Sequence, residues 1–211
     1  MLFAVRAVRP CAGTKELVVP PEPPQRPMVG AHVARRRPRP QIARADRLAV
    51  AGGADGADWV TEAPLRPVRG QASWTHGPDT PATAFGGYAI PTREGVLFGA
   101  THDRDDTQTD VREEDHARNL QSLAKGLPAL AARLTGSVFY GRAAVRATTP
   151  DRLPLADVRE DGVIVLTGLG SRGFCLAPLL AEHLVARMLD TPSPVPRQLS
   201  QPLKLTRFDS P

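Results

Sequence analysis

Between Val163 and Pro178 the chain reads Val-Ile-Val-Leu-Thr-Gly-Leu-Gly-Ser-Arg-Gly-Phe-Cys-Leu-Ala-Pro, a string able to hold negative charge. Gly168, Gly170 and Gly173 allow positive φ and let another group come close to the backbone. A helix opening beyond them would aim its first N–H groups and its positive dipole end out of the turn. A second candidate is Arg146, in Val145-Arg-Ala-Thr-Thr-Pro-Asp-Arg-Leu-Pro-Leu155. At the end of a strand it could present a planar fork to a carboxylate. Tyr88, in Gly86-Gly-Tyr-Ala-Ile-Pro91, could orient an amine or a carboxylate by hydrogen bonding. Each has a plainer alternative by residue type: a tight connection, a surface salt bridge, a half-buried packing residue.

Other reactive types group less usefully. His102, Asp103, Asp105, Asp106 and Asp110 form an acidic cluster, but it lacks the glycine and terminal glutamate of a calcium loop, so a solvated loop is expected. His116, in a Glu-Glu-Asp-His helix start, reads as structural. Arg172 either approaches a ligand or braces its loop. Cys175 follows a helix-opening turn that could lower its pKa, yet no histidine pattern accompanies it. A small apolar role is expected there. No Ser-His-Asp or Cys-His arrangement is supported, and no metal site.

The elements that must position these residues follow from periodicity. Val163–Leu166 has the bounded, β-branched character of a buried strand. Leu176, Leu180, Leu184 and Met188 recur every fourth residue and place one apolar stripe on a helix. Pro178 is expected in the first turn of that helix. Residues 45–53 read as a short strand, and so do Gln71–Thr75 and Val138–Thr148. Gly87–Pro91 and Gly95–Thr101 flank Thr92-Arg93-Glu94 as a hairpin. Asp110 with Glu113 resembles a capping box. Leu120, Leu123, Leu127, Leu130 and Leu134 then continue a helix that Gly126 and Pro128 should divide. Strands grouped ahead of helices predict an α+β fold.

Composition adds limits. The 211 residues carry a net charge of +5, with 22 prolines and 18 glycines. Such a balance favours polyanionic partners without requiring one. Eight prolines fall within residues 1–40, and Arg35, Arg36, Arg37, Arg39, Arg44 and Arg47 add a basic run. Residues 1–44 are therefore expected to be disordered or non-native sequence, as an out-of-frame or truncated start of a gene rich in GC would give. Cys11 and Cys175 are too far apart in sequence and context for a disulfide framework, which favours a cytoplasmic setting. No apolar run reaches the roughly 18 residues of a membrane helix.

The string Gly168 to Glu182 resembles the C-terminal flavin-contacting motif of the D-amino-acid-oxidase-like FAD oxidoreductases. Within that family it is most similar to the oxidoreductase half of the bifunctional enzymes that build 5-methylaminomethyl-2-thiouridine in tRNA. The resemblance covers about residues 45–211. It implies a mixed-sheet substrate domain with packed helices over about 65–155. About 160–190 would be the C-terminal strand-turn-helix of an incomplete Rossmann-like FAD domain. Non-covalent FAD would lie against Gly168, Gly170, Ser171, Arg172, Gly173, Phe174 and Cys175. Arg146 would face the substrate carboxylate and Tyr88 would border the same cavity. The implied reaction is oxidative removal of the carboxymethyl group from carboxymethylaminomethyluridine at the tRNA wobble position. The implied partners are tRNA, an N-terminal FAD-binding half and a methyltransferase domain. No Gly-x-Gly-x-x-Gly turn precedes Gly168, so FAD binding by the chain alone is expected to be weak. A glycine- or sarcosine-type oxidase shares the Tyr88 and Arg146 contexts. A non-catalytic remnant with a nucleic-acid-binding tail is the reading from a different class.

Overall fold

The computed structural model describes residues 2–5, 15–18, 42–45 and 47–208, with side chains over 48–208. The expectation of disorder across 1–44 therefore falls largely outside the described residues. Three short strands lie there, β1 (Leu2–Val5), β2 (Lys15–Val18) and β3 (Ile42–Ala45), followed by β4 (Arg47–Val50). Next come β5 (Arg66–His76), β6 (Thr83–Ala84), β7 (Tyr88–Pro91), β8 (Gly95–Gly99) and β9 (Asp103–Arg104). Helices α1 (Glu113–Gly126) and α2 (Pro128–Leu134) precede β10 (Tyr140–Thr148), β11 (Leu155–Val158), β12 (Val163–Thr167) and α3 (Gly173–Leu189).

Two sheets carry the architecture. One runs β10-β5-β8-β7-β6, with β9 also paired to β5, and its pairs are antiparallel. The other runs β1-β4-β12-β11, and there β4 and β12 are parallel. The fold is α+β with mixed sheets, as the grouping of strands predicts. Strands β2 and β3 form a separate antiparallel pair.

The leucine pattern builds the first core. Leu123, Leu130 and Leu134 pack with Ala89, Val96 and Phe98 of the sheet, and Leu120 and Leu127 lie against them. The helix breaks at Leu127, between Gly126 and Pro128, because Pro128 lacks the N–H an unbroken helix would use. The second stripe behaves likewise. Leu180 and Leu184 join Ala156, Ile164, Val195 and Leu203, with Leu176 and Met188 against the cluster. On the other side of β12, Val165 packs with Val50, Val60, Leu155 and Leu205. A strand covered on both faces explains its unbroken apolar run.

Three local expectations are corrected. Pro178 lies inside α3 at its sixth position, not in its first turn, because the helix starts at Gly173 after a 3-10 turn over Gly170–Arg172. Asp110 does not cap α1: the N-cap is Arg112, with no side-chain cap bond, and Glu113, Glu114 and Asp115 offset the helix dipole instead. Strand β5 is a single 11-residue strand from Arg66, where a shorter one from Gln71 was expected.

Candidate substrate and flavin face

Alternation along β5 sends its side chains to two different environments. Arg69, Gln71, Ser73 and Thr75 face the helices and enter a buried polar layer. Arg69 pairs with Asp115 and also bonds Gln71 Oε1 at 3.0 Å. Ser73 Oγ meets His116 Nδ1 at 2.8 Å, and Asn119 Nδ2 donates to both the Gln71 carbonyl and Ser73 Oγ at 2.9 Å. His116 is structural here. Asp103 is held by Arg118 at 2.8 Å, and Asp106 by Arg112 at 2.7 Å. Two carboxylates of the acidic cluster are thus tied to arginines, and no metal-ligating group of three occurs among the described residues.

Val68, Gly70, Ala72, Trp74 and His76 face the other way. Their cross-strand partners share that face: Arg146 opposite Val68, Ala144 opposite Gly70, Arg142 opposite Ala72 and Tyr140 opposite Trp74. On the far side, Ala72 faces Gly99, which faces Tyr88. The floor between Arg146 and Tyr88 is thus made of Gly70, Ala144, Ala72 and Gly99. Small residues leave the backbone open to a ligand.

Arg146 lies across this floor. A Cβ on Gly70 would come within 2.1 Å of Arg146 Nη1 and 2.4 Å of Nη2, so glycine is what lets the guanidinium settle there. Nη1 is buried with no hydrogen-bond partner. A buried cationic donor left unpaired is costly and calls for a missing acceptor. Burial pushes the Tyr88 phenol above its ordinary pKa, while the Arg146 charge opposes the rise, so Tyr88 keeps its proton at neutral pH and can donate. Burial, followed by the positive charge of Arg146, lowers the pKa of His102, with Arg104 and Arg152 adding to the shift and Asp103 opposing it. His102 is exposed in the loop that follows β8, as expected of a solvated segment.

The glycine turn meets the end of β10. Thr148 and Leu169 form an isolated antiparallel bridge. Gly168 at φ +67° and Gly170 at φ +55° adopt the left-handed backbone the turn requires. A Cβ on Gly168 would lie 2.9 Å from Thr149 Cγ2, so the two segments touch without side chains between them. Thr149 donates to the Leu153 carbonyl at 2.6 Å, and Asp151 Oδ1 accepts from Leu153 N–H at 3.0 Å. Thr149, Pro150 and Asp151 thus shape the turn. Arg172 braces it by donating to the Arg152 carbonyl. At the start of α3, no side chain caps the free N–H groups. Ser171 and Cys175 are exposed there, and Phe174 is wholly so, at 100%.

The chain matches the DAO family, FAD dependent oxidoreductase, over residues 21–187. It belongs to that family. Among curated relatives it is 86% identical over 170 residues to the tRNA 5-methylaminomethyl-2-thiouridine biosynthesis bifunctional protein MnmC of Caulobacter vibrioides, a match covering 81% of this chain and 29% of that protein. The Maricaulis maris protein of the same name is 43% identical over 144 residues, covering 67% and 23%. The chain thus spans under a third of the length of these relatives. Solved structures of similar fold include glycine oxidase from Geobacillus kaustophilus, with a TM-score of 0.68 at 20% identity, covering 79% of this chain and 46% of that one. Iminodiacetate oxidase from Chelativorans scores 0.63 at 22% identity, covering 74% and 46%. At such identities the likeness concerns the fold.

Of the residues singled out in the sequence, Arg146 and Tyr88 share one sheet face, and Gly168 to Cys175 run consecutively from β12 into α3. The bridge between Thr148 and Leu169 links the two groups. Gly70 was not foreseen as a site residue. A glycine inside a strand opposite Ala144 was the available signal for Gly70.

Proposed function

We propose that this chain forms the substrate- and flavin-facing part of an FAD-dependent oxidoreductase acting on tRNA. Its substrate would be the carboxymethylaminomethyl group of a wobble uridine. The observation that carries this reading is the buried, unpartnered Arg146 Nη1 seated on Gly70. The identity to bifunctional tRNA-modifying proteins supports the substrate class.

The residues present fit a flavin. The uncapped start of α3 and the left-handed Gly168 and Gly170 offer backbone N–H groups and a positive dipole end to a group that gains negative charge on reduction. Gly168, Gly170, Ser171, Arg172, Gly173, Phe174 and Cys175 would hold it. When bound, FAD accepts the two electrons of an amine oxidation.

The chain's own residues bind and orient the amine. Arg146 pairs with the substrate carboxylate and removes its own unsatisfied donor in doing so. Tyr88, protonated, donates to the carboxylate or the amine from the opposite side of the glycine floor. Held at both ends, the C–H bond between carboxylate and nitrogen is presented in one orientation, which contributes several kcal/mol to lowering the barrier, to order of magnitude (~5). That carbon loses a hydride equivalent and the nitrogen a proton. Water then adds to the resulting C=N bond, the C–N bond breaks, and glyoxylate leaves aminomethyluridine on the RNA.

A chimera tests the reading: residues 45–211 replace the corresponding region of the Caulobacter vibrioides relative. It should release glyoxylate from an RNA bearing carboxymethylaminomethyluridine. Turnover of glycine or sarcosine with none of the RNA would contradict the tRNA assignment.

A further inference from the structure

Beyond the Arg146 site, the same sheet face carries a feature that amine oxidation does not use. Trp74 and Tyr140, directly opposite each other on β5 and β10, stack with ring centroids 4.4 Å apart and planes 22° from parallel. His76 meets Trp74 edge-on at 5.4 Å and Tyr140 at 6.0 Å. These rings are not core. Tyr140 is 44% exposed, and the His76 side chain is 57% exposed. On the side of Trp74 away from Tyr140, the β7–β8 hairpin borders an open depression of about 280 Å³ lined by Trp74, Thr92, Arg93 and Glu94. That size is near the low end of small-molecule pockets.

We propose that Trp74, backed by Tyr140, is a stacking platform for an unpaired nucleobase adjoining the modified nucleoside of the RNA substrate. The proposal rests on the tRNA reading above. Two observations favour single-stranded RNA as the occupant. A half-buried indole braced by a second ring offers a rigid π face, and bases stack on such faces whatever their sequence. Arg93 and Arg142, both exposed, flank the rings and suit a phosphate backbone. Position also fits. Trp74 lies six residues along β5 from Val68, the partner of Arg146, or roughly 20 Å at strand rise. That separation leaves room for the modified uridine and its side chain between Arg146 and a neighbouring base on Trp74.

Binding of an anticodon stem–loop RNA with an unmodified wobble uridine isolates this contact, because that RNA has no carboxylate for Arg146. Titration of the full chain should quench Trp74 fluorescence. Trp74→Ala should weaken binding about tenfold or more, and Trp74→Phe should retain affinity within about threefold. A fully paired duplex of the same length should not quench. Thermal melts check folding, and if Trp74→Ala does not fold, Tyr140→Ala and Arg93→Glu read the same platform by weakened binding. RNA that binds wild type and the platform variants equally overturns the proposal and leaves the tRNA reading intact. Failure of wild type to bind the RNA overturns both.

Discussion

Gly70 and Arg146 form a pair in which one residue's missing side chain is the other's seat. A methyl group on Gly70 would occupy the place of Arg146 Nη1 and Nη2. Gly70→Ala should therefore displace the guanidinium and mimic loss of its charge, although Arg146 itself is unchanged. In the chimera, KM for the carboxylated RNA should rise with little loss of melting temperature; an unaltered KM would show that the guanidinium does not act from this seat. After burial, the Arg146 charge is the next cause of the pKa shifts of both Tyr88 and His102. Arg172 differs from them. Its bond to the Arg152 carbonyl braces the turn that would face the flavin.

At the scale of elements, the layer between β5 and α1 is held by arginine–carboxylate pairs whose protonation can be followed. The hydrogen bond from Arg118 lowers the pKa of Asp103 despite opposing burial, and Arg69 adds to the lowering. A carboxylate with a folded pKa below its unfolded value of about 3.9 contributes stability that is complete above that pH and lost as pH falls through the folded value. Melting temperature should thus drop as pH is lowered below about 4, and less steeply in Asp103→Asn. Asp106 and Asp151, also lowered, keep some slope in the variant. Parallel curves for the two proteins would refute the role of Asp103.

The same elements show what could be read in advance. The stripe Leu176, Leu180, Leu184 and Met188 and the division of the leucine helix at Leu127 were legible because apolar periodicity survives any tertiary context. Strand β5 was not legible over its full length, since Pro67 and Gly70 resemble breakers. Proline is tolerated near the start of a strand, where a missing ladder donor costs least, and the Pro67 carbonyl still accepts from Asp105 N–H at 2.9 Å. The start of α1 at Glu113 was legible, but the buried face of its first two turns was not. Asp115, His116 and Asn119 continue the buried face ahead of Leu123, but their polar types conceal a pattern whose partners lie more than 40 residues away.

For the molecule as a whole, the contact of Thr148 with Leu169 joins the substrate-facing sheet to the glycine turn. The C-terminal segment secures that junction: Arg207 binds Asp151 at 2.8 Å and the Leu153 carbonyl at 2.7 Å, while Leu205 N–H donates to Asp157 at 3.0 Å. The strand that carries Arg146 and the glycine turn that opens into α3 are thereby held together. In the proposed reaction Arg146 holds the substrate carboxylate. Its most direct test is kcat/KM of the Arg146→Ala chimera on RNA bearing carboxymethylaminomethyluridine. Loss of a buried charged partner predicts a fall of about thirtyfold or more, carried mainly by KM. An unchanged kcat/KM would contradict the account.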